Sequence, residues 1–169
     1  MNENEMNFQK WFKQPLSNLY SNPNAGFIIL MISLPLLERY LREKSKTFEA
    51  SLKDEFFYEL ITIFPALKEL PVAKKFWEVY RHGLLHQATL KVRDLSLSVG
   101  VYNSTDEIIH GYNNNGDNFC VSPNAFSNRI ILTIENDFAT FEGNNSPKHP
   151  MSTIDPNSGR SGFSIKDNG

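Results

Sequence analysis

The sequence has a single cysteine and no large excess of charge of either sign. Because Cys120 has no second thiol to pair with, an internal disulfide is excluded and a reducing compartment is expected. The 17 basic and 19 acidic side chains leave a net charge of −2. That balance excludes a uniformly basic, nucleic-acid-coating surface. Contact with RNA or DNA would therefore require a local basic patch, or one completed by a second subunit.

The sequence also lacks a long hydrophobic run. Its longest apolar stretch, FIILMISLPLL, spans residues 27–37 and is interrupted by Pro35. This is about half of the roughly 20 residues that a membrane-spanning helix needs. The first residues are acidic and amide-rich, unlike the basic start of a signal peptide. We therefore expect a cytoplasmic protein that does not contact a membrane, and its length fits one compact domain.

Helical periodicity is present in four segments, which are residues 27–46, 51–64, 70–90 and 122–143. Ser51 and Ser122 are the predicted N-caps of the second and fourth helices, and Gly143 is the predicted end of the fourth. Short connections between the first three helices favour antiparallel neighbours. The predicted fold is therefore mainly α, with a four-helix up-down bundle.

A different pattern separates the third and fourth helices. LSLSVGVY alternates apolar and polar residues, EIIHGY and NFCV resemble short strands, and NNNGDN is typical of a hairpin turn. We predict a small β-hairpin or β-meander insertion at about 95–121, within a single domain of residues 8–142. The opening NENEMN is predicted to be loose, and residues 143–169, rich in Asn, Ser, Pro and Gly, to form a flexible tail.

The segment YRHGLLHQA near the end of the third helix carries polar groups that simple packing does not require. At about 100° per residue, Arg81 and His86 point about 140° apart on an α-helix. The surface around Arg81 is nevertheless apolar, since Trp77, Leu84 and Leu85 surround it. This pattern predicts that another subunit covers the outer side of the helix.

Arg81, four intervening residues and His86, on the third of four helices, resemble the ribonuclease motif of the HEPN superfamily (higher eukaryotes and prokaryotes nucleotide-binding domains). That motif is an Arg, four to six residues and a His, and the residue after the Arg is often polar, as His82 is here. The resemblance covers about residues 24–142, with the β segment as an insertion. It implies a homodimer whose third helices meet at a two-fold axis, with Arg81 and His86 of both copies lining one cleft.

The resemblance also implies a chemistry, which is RNA cleavage without a metal or cofactor through attack of the ribose 2′-OH on the neighbouring phosphate. A histidine can move the proton near neutral pH, and an arginine can hold phosphate oxygens. We therefore expect His86 to transfer the proton, Arg81 to clamp the phosphate and His82 to assist. The expected supporting residues are Glu38 and Glu78, and the expected RNA-contacting residues are Lys74 and Lys75. Beyond RNA, the resemblance implies an antitoxin or a nucleotidyltransferase as partner.

Two alternatives remain open from the residues alone. In one, the chain is a non-catalytic dimeric helical module that binds a nucleotide or a partner protein. Arg81 then pairs with Glu38 or Glu78, and His86 donates to a backbone carbonyl at the edge of the core. In the other, His82 and His86 bind zinc from positions i and i+4, but a third ligand would have to be His110 or Cys120. We predict no metal site.

Overall fold

The computed structural model describes residues 2–88, 90, 98–101, 108–110 and 118–143, and this part of the chain is mainly helical. The predicted helical class is therefore confirmed. Across the described ranges, none of the helices combines the length and apolarity needed to cross a membrane. The tail predicted beyond Gly143 lies outside the described residues.

The N-terminal segment is helical from Glu3–Phe8 (α1) through a π-helical turn, Gln9–Lys13, into Gln14–Leu19 (α2). The prediction that the first residues are loose is wrong. Asn2 caps α1 by accepting from the backbone N–H of Glu5, whose carboxylate accepts from the backbone N–H of Asn2 in return. This reciprocal capping box satisfies donors that a helix start otherwise leaves unpaired.

The helices that follow are α3 (Gly26–Ser45), α4 (Asp54–Ile63), α5 (Leu70–Trp77), α6 (Gly83–Gln87), α7 (Pro123–Asn136) and α8 (Phe138–Glu142). A π-helical turn, Glu78–His82, joins α5 directly to α6, and a short 3-10 turn, Pro65–Leu67, follows α4. Helix α3 contacts α4, α6, α7 and α8, which makes it the central element of the helical core.

Helix boundaries follow the predicted breakers more closely than the predicted caps. Ser122 precedes α7 as predicted, and Pro65 stands just beyond α4. Ser51 is not the cap of α4, because that helix begins three residues later and Lys53 occupies the N-cap position. Asp54 and Glu55 fill the first turn of α4, where their negative charge suits the helix dipole.

Aromatic rings form much of the core. They pair at centroid distances of 4.6–4.9 Å (Phe64 with Phe126, Phe76 with Tyr80, and Phe56 with Trp77). A second cluster joins the N-terminal helix to the last one, since the buried Phe8 lies 5.7 Å from Phe138 and 5.3 Å from Phe141. Trp11, in the π-helical turn between α1 and α2, is 38% exposed.

The described residues between α6 and α7 include three short strands, at Ser98–Val101 (β1), Ile109–His110 (β2) and Asn118–Val121 (β3). Their order is β1-β3-β2, with β3 parallel to β1 and antiparallel to β2. A meander would place β2 in the middle, so the strand order differs from that prediction. Ile109 and Val121 are buried and join the sheet to the core.

The end of α8 is fixed by Arg39 of α3. Its Nε donates to the carbonyl of Phe141 and its Nη2 to that of Glu142, both at 3.0 Å. Gly143 follows with φ +68° and ψ 156°, a conformation that is essentially restricted to glycine, and a Cβ there would overlap the side chain of Glu43. The predicted stop at Gly143 is confirmed.

The fourth predicted helix is divided into α7 and α8 at Asp137. Its backbone (φ −140°, ψ 52°) is not helical, and its carboxylate accepts from Tyr40 (3.1 Å), Lys44 (2.8 Å) and Thr140 (2.8 Å). Burial tends to raise the pKa of Asp137, but these hydrogen bonds stabilise the ionised form and bring the pKa below its ordinary value.

This lowered pKa predicts a pH-dependent stability. Asp137 contributes fully above its unfolded-state pKa of about 4, and its contribution is lost as pH falls through the lower folded-state value. We expect Asp137→Asn to lower the free energy of unfolding by about 1 kcal/mol at pH 7. The difference from the unsubstituted chain should shrink below about pH 4 in urea titrations. Glu49→Gln, which alters an exposed pair with Lys53, is the matched control. An equal difference at pH 7 and pH 3 would contradict the assignment.

Candidate functional site

Arg81 lies in the π-helical turn between α5 and α6, where its side chain is mostly buried against α3. Its Nε donates to Oε2 of Glu38 at 2.7 Å, and the two side chains are only 22% and 13% exposed. The interpretation that Arg81 pairs with Glu38 within its own chain is therefore confirmed. The pair joins the third predicted helix to the first.

Glu38 holds a second arginine on its other oxygen. Arg42, one turn later on α3, donates from Nε (3.0 Å) and Nη2 (2.8 Å) to Oε1 of Glu38. The remaining terminal nitrogen of Arg42 donates to the carbonyls of Thr47 and Glu49, which fixes this guanidinium to the loop after α3. The carboxylate and the two guanidinium groups together carry one net positive charge. The electrostatic potential around them therefore attracts an anion.

His86 contacts Arg81 in the same chain. Nη1 of Arg81 lies 2.9 Å from Nε2 of His86, and His86 is exposed. The predicted separation of the two groups is therefore wrong. The π turn changes the rotation per residue, since it uses i→i+5 hydrogen bonds, and the long arginine side chain spans the remaining distance.

The contact assigns a role to one nitrogen of the His86 ring. A guanidinium can only donate hydrogen bonds, so Nε2 of His86 is the acceptor in a hydrogen bond between the two groups. An imidazole nitrogen that can accept a hydrogen bond can also accept a proton from a substrate.

The other predicted site residues lie along the same helix. His82 is exposed, and its ring centroid is 5.7 Å from that of His86. Glu78 is one turn earlier and half-buried. Nζ of Lys74 lies 2.7 Å from Oδ1 of Asp54 and also lies over the ring of Phe57, so the charge of Lys74 is already paired within the chain.

Lys75 is half-buried on α5. Of the two lysines predicted to contact RNA, it is the less exposed. Lys74 and Lys75 therefore contribute less to a basic surface than their place in the sequence indicates.

The apolar surroundings of Arg81 are provided by the chain itself. Trp77 is 2% exposed and packs edge-on against Phe56 at 4.9 Å, and Leu84 is completely buried. The prediction that another subunit covers these side chains is wrong. Leu85, the third of these apolar residues, is half-buried, and His82 and His86 are exposed on the same helical segment.

The zinc alternative needs a third ligand beside His82 and His86. Within the described ranges, no group of three or more His, Cys, Asp or Glu side chains is placed to hold a metal ion. Cys120, considered above as a zinc ligand, is half-buried, and burial raises the pKa of its thiol. A raised pKa disfavours the thiolate that metals and nucleophilic chemistry require.

Two features of the site were missed from the sequence. Arg42 has a local signal, since it follows Glu38 at i+4 in LLERYLRE, the spacing of a helical ion pair. The second feature is a cleft lined in part by Trp77 and His82, and it has no local signal because its walls come from separate segments.

Comparison of the chain with protein-family models, with curated proteins and with solved structures gave no match. The arguments about function that follow therefore depend on the geometry of the site and on its motif.

The Glu38–Arg81 pair should stabilise the fold measurably because both groups are shielded from water. In a double-mutant cycle of Glu38→Gln and Arg81→Gln, we expect a coupling of about 1–2 kcal/mol in the free energy of unfolding. The exposed Glu49–Lys53 pair, measured in the same way, should give about 0–0.5 kcal/mol. Equal couplings in the two cycles would mean that the Glu38–Arg81 contact is not held in solution.

Proposed function

We propose that this chain is a HEPN-like four-helix module and acts as a metal-independent endoribonuclease from a site completed by a second copy. The four helices of the module would be α3, α4, the continuous α5–α6 segment and α7 with α8. The observation that carries the proposal is the 2.9 Å contact between Arg81 and the exposed ring of His86. It joins a phosphate-binding group to a proton acceptor at the protein surface.

Substrate binding would activate both groups together. Glu38 keeps the Nε edge of Arg81 in place, while the contact with His86 occupies one N–H of the terminal nitrogens. A phosphate is a stronger acceptor for a guanidinium than a neutral imidazole is, because it is charged. A bound phosphate therefore competes with His86 for Arg81, and its binding releases Nε2 to accept a proton.

The reaction that follows is a transesterification. Nε2 of His86 removes the proton of the ribose 2′-OH, and the 2′-oxygen forms a bond to phosphorus. The bond from phosphorus to the 5′-oxygen breaks, and that oxygen takes a proton from an acid. The products are a 2′,3′-cyclic phosphate and a 5′-OH end, and Arg81 stabilises the negative charge that develops on the phosphate.

We assign the acid to a second copy, because His86 serves as the base and His82 of the same chain is expected only to assist. The reaction uses both a base and an acid, and the His86 of a two-fold partner would supply the second proton-transfer group. The exposed positions of His82 and His86 at one edge of the third predicted helix are compatible with such an approach.

We expect His86→Ala to reduce RNA cleavage by at least about 100-fold, the usual contribution of a general acid or base. The measurement is cleavage of a fluorescent single-stranded RNA in EDTA, with end analysis for 2′,3′-cyclic phosphate. Because His86 is exposed, its loss should leave the thermal unfolding midpoint unchanged within about 2 °C.

Arg129→Ala is the control for loss of an arginine elsewhere, since Arg129 lines a different cavity with Phe64 and Ile109. It should cleave at the unsubstituted rate, whereas Arg81→Lys should be strongly impaired because lysine cannot fork onto a phosphate. Cleavage by His86→Ala at the unsubstituted rate would remove the catalytic assignment.

Mixed dimers test whether the site is composite. A heterodimer of one unsubstituted chain and one His86→Ala chain can be co-expressed with two different tags and purified. It should be nearly as inactive as the His86→Ala homodimer, because the proposed reaction needs His86 of both copies as base and acid. A heterodimer that keeps about half of the unsubstituted activity would place the whole reaction within one chain.

One observation favours a second function. The guanidinium of Arg81 is already paired with the mostly buried Glu38, as in a structural ion pair. The chain would then be a non-catalytic dimeric module that binds a nucleotide, or a partner protein such as an antitoxin or a nucleotidyltransferase. Two results would support this function instead. The chain would form a stable dimer that cleaves none of the RNAs tested, and Arg81→Lys would not change the growth of cells that express it.

A further inference from the structure

A cleft lies beside the Arg81–His86 pair and is not used in the mechanism above. Its volume is about 460 Å³, within the range of about 300–1,000 Å³ that is typical of small-molecule sites. His82 forms one wall of it, and the His82 ring centroid lies 5.7 Å from that of His86, which in turn contacts Arg81. The cleft is therefore a neighbour of the position proposed for the phosphate.

The walls of the cleft suit a flat ring. Phe57, Trp77 and His82 line it, and the exposed ring of His82 offers a face on which a base can stack. Aromatic and histidine rings are the usual stacking partners for unpaired RNA bases. An aliphatic chain would fill the same volume, but it would form no hydrogen bonds with the polar groups at the edge of the cleft.

Two charged residues also line the cleft, and they lie on the same helical segment as Trp77 and His82. Glu78 lies one turn before His82 and lines the cleft, and Lys74 lies one turn before Glu78. A carboxylate only accepts hydrogen bonds, and its two oxygens can accept several at once. The indole N–H of Trp77 has no hydrogen-bond partner in the part of the chain that the structure describes.

We propose that this cleft binds the base of the nucleotide whose phosphate lies at Arg81, and that it prefers a base with an exocyclic amino group. Glu78 accepts from the exocyclic amino group of cytosine, adenine or guanine, whereas both exocyclic groups of uracil are carbonyl oxygens, which the carboxylate repels. His82 stacks on the base. This assignment rests on the proposed function for the position of the phosphate, but the recognition of the base can be measured without cleavage.

Tryptophan fluorescence gives that measurement, because the chain has two tryptophans and only Trp77 lines the cleft. In a Trp11→Phe, His86→Ala background, the emission of Trp77 is followed while cytidine 3′-monophosphate, uridine 3′-monophosphate or inorganic phosphate is added. We expect a saturable change with about tenfold tighter binding of the cytidine nucleotide, and no change with phosphate alone.

Glu78→Gln in the same background should reduce the preference to within about twofold, because an amide can both donate and accept. His82→Ala should weaken both nucleotides, because the stacking face is lost. Glu55→Gln, at an exposed carboxylate of α4, is the matched control and should change neither value.

The outcomes separate this inference from the proposed function. A flat titration with every nucleotide, or a cytidine preference that Glu78→Gln leaves intact, overturns the base site, whether or not the chain cleaves RNA. If the chain cleaves RNA and the titration is flat, the nuclease stands without this subsite. If cytidine binds with the stated preference but RNA stays intact, the base site stands and the nuclease fails.

Discussion

The carboxylate of Glu38 is the constraint on which the candidate site depends. It binds two guanidinium groups, Arg81 and Arg42, and each holds a different part of the chain. Arg42 fixes the loop after α3, and Arg81 presents its terminal nitrogens to His86. Without this acceptor, two positive charges would lie close together in a partly buried position, which is costly. The geometry of the site is therefore set by a residue that does not itself need to touch a substrate.

The same arrangement explains how a structural ion pair and a reactive site can share one arginine. A guanidinium has five N–H donors in a rigid fork, and Glu38 engages only one edge of it. The opposite edge faces His86 and can turn to a phosphate without breaking the bond to Glu38. Anchoring at one edge lowers the entropic cost of ordering the other, which is the advantage of a preorganised site.

Much of the fold was predictable from hydrophobic periodicity and helix breakers. Each of the four predicted segments contains helix, and Gly143 ends the last because its backbone conformation is available only to glycine. Asp137 could not be read as a break, because its non-helical backbone is stabilised by Tyr40 and Lys44 of a distant helix. The capping box at Asn2 was a local signal, and its pattern was overlooked among the polar residues around it.

The sequence predicted which residues form the candidate site, but not how their side chains are arranged. The spacing of Arg81 and His86 identified them as candidate residues. An ideal α-helix places them on different sides, whereas in the structure they are in contact. The difference arises at the π turn, which has no simple sequence signature. The burial of Trp77 and Leu84 within the chain was likewise hidden, because the residues that cover a helix come from remote parts of the sequence. The pairing of Arg81 with Glu38 depends on the tertiary packing of α3.

The two ends of the described chain meet. The side-chain amide of Asn4 donates to Glu142, and Phe8 packs on Phe141 beside it. Segment ends that lie close together are the usual condition for circular permutation. A variant that ends at Gly143 and is joined by a short linker back to Asn2 would retain both contacts. The order of the helices around α3 in the gene could then be rotated without changing which helices are neighbours.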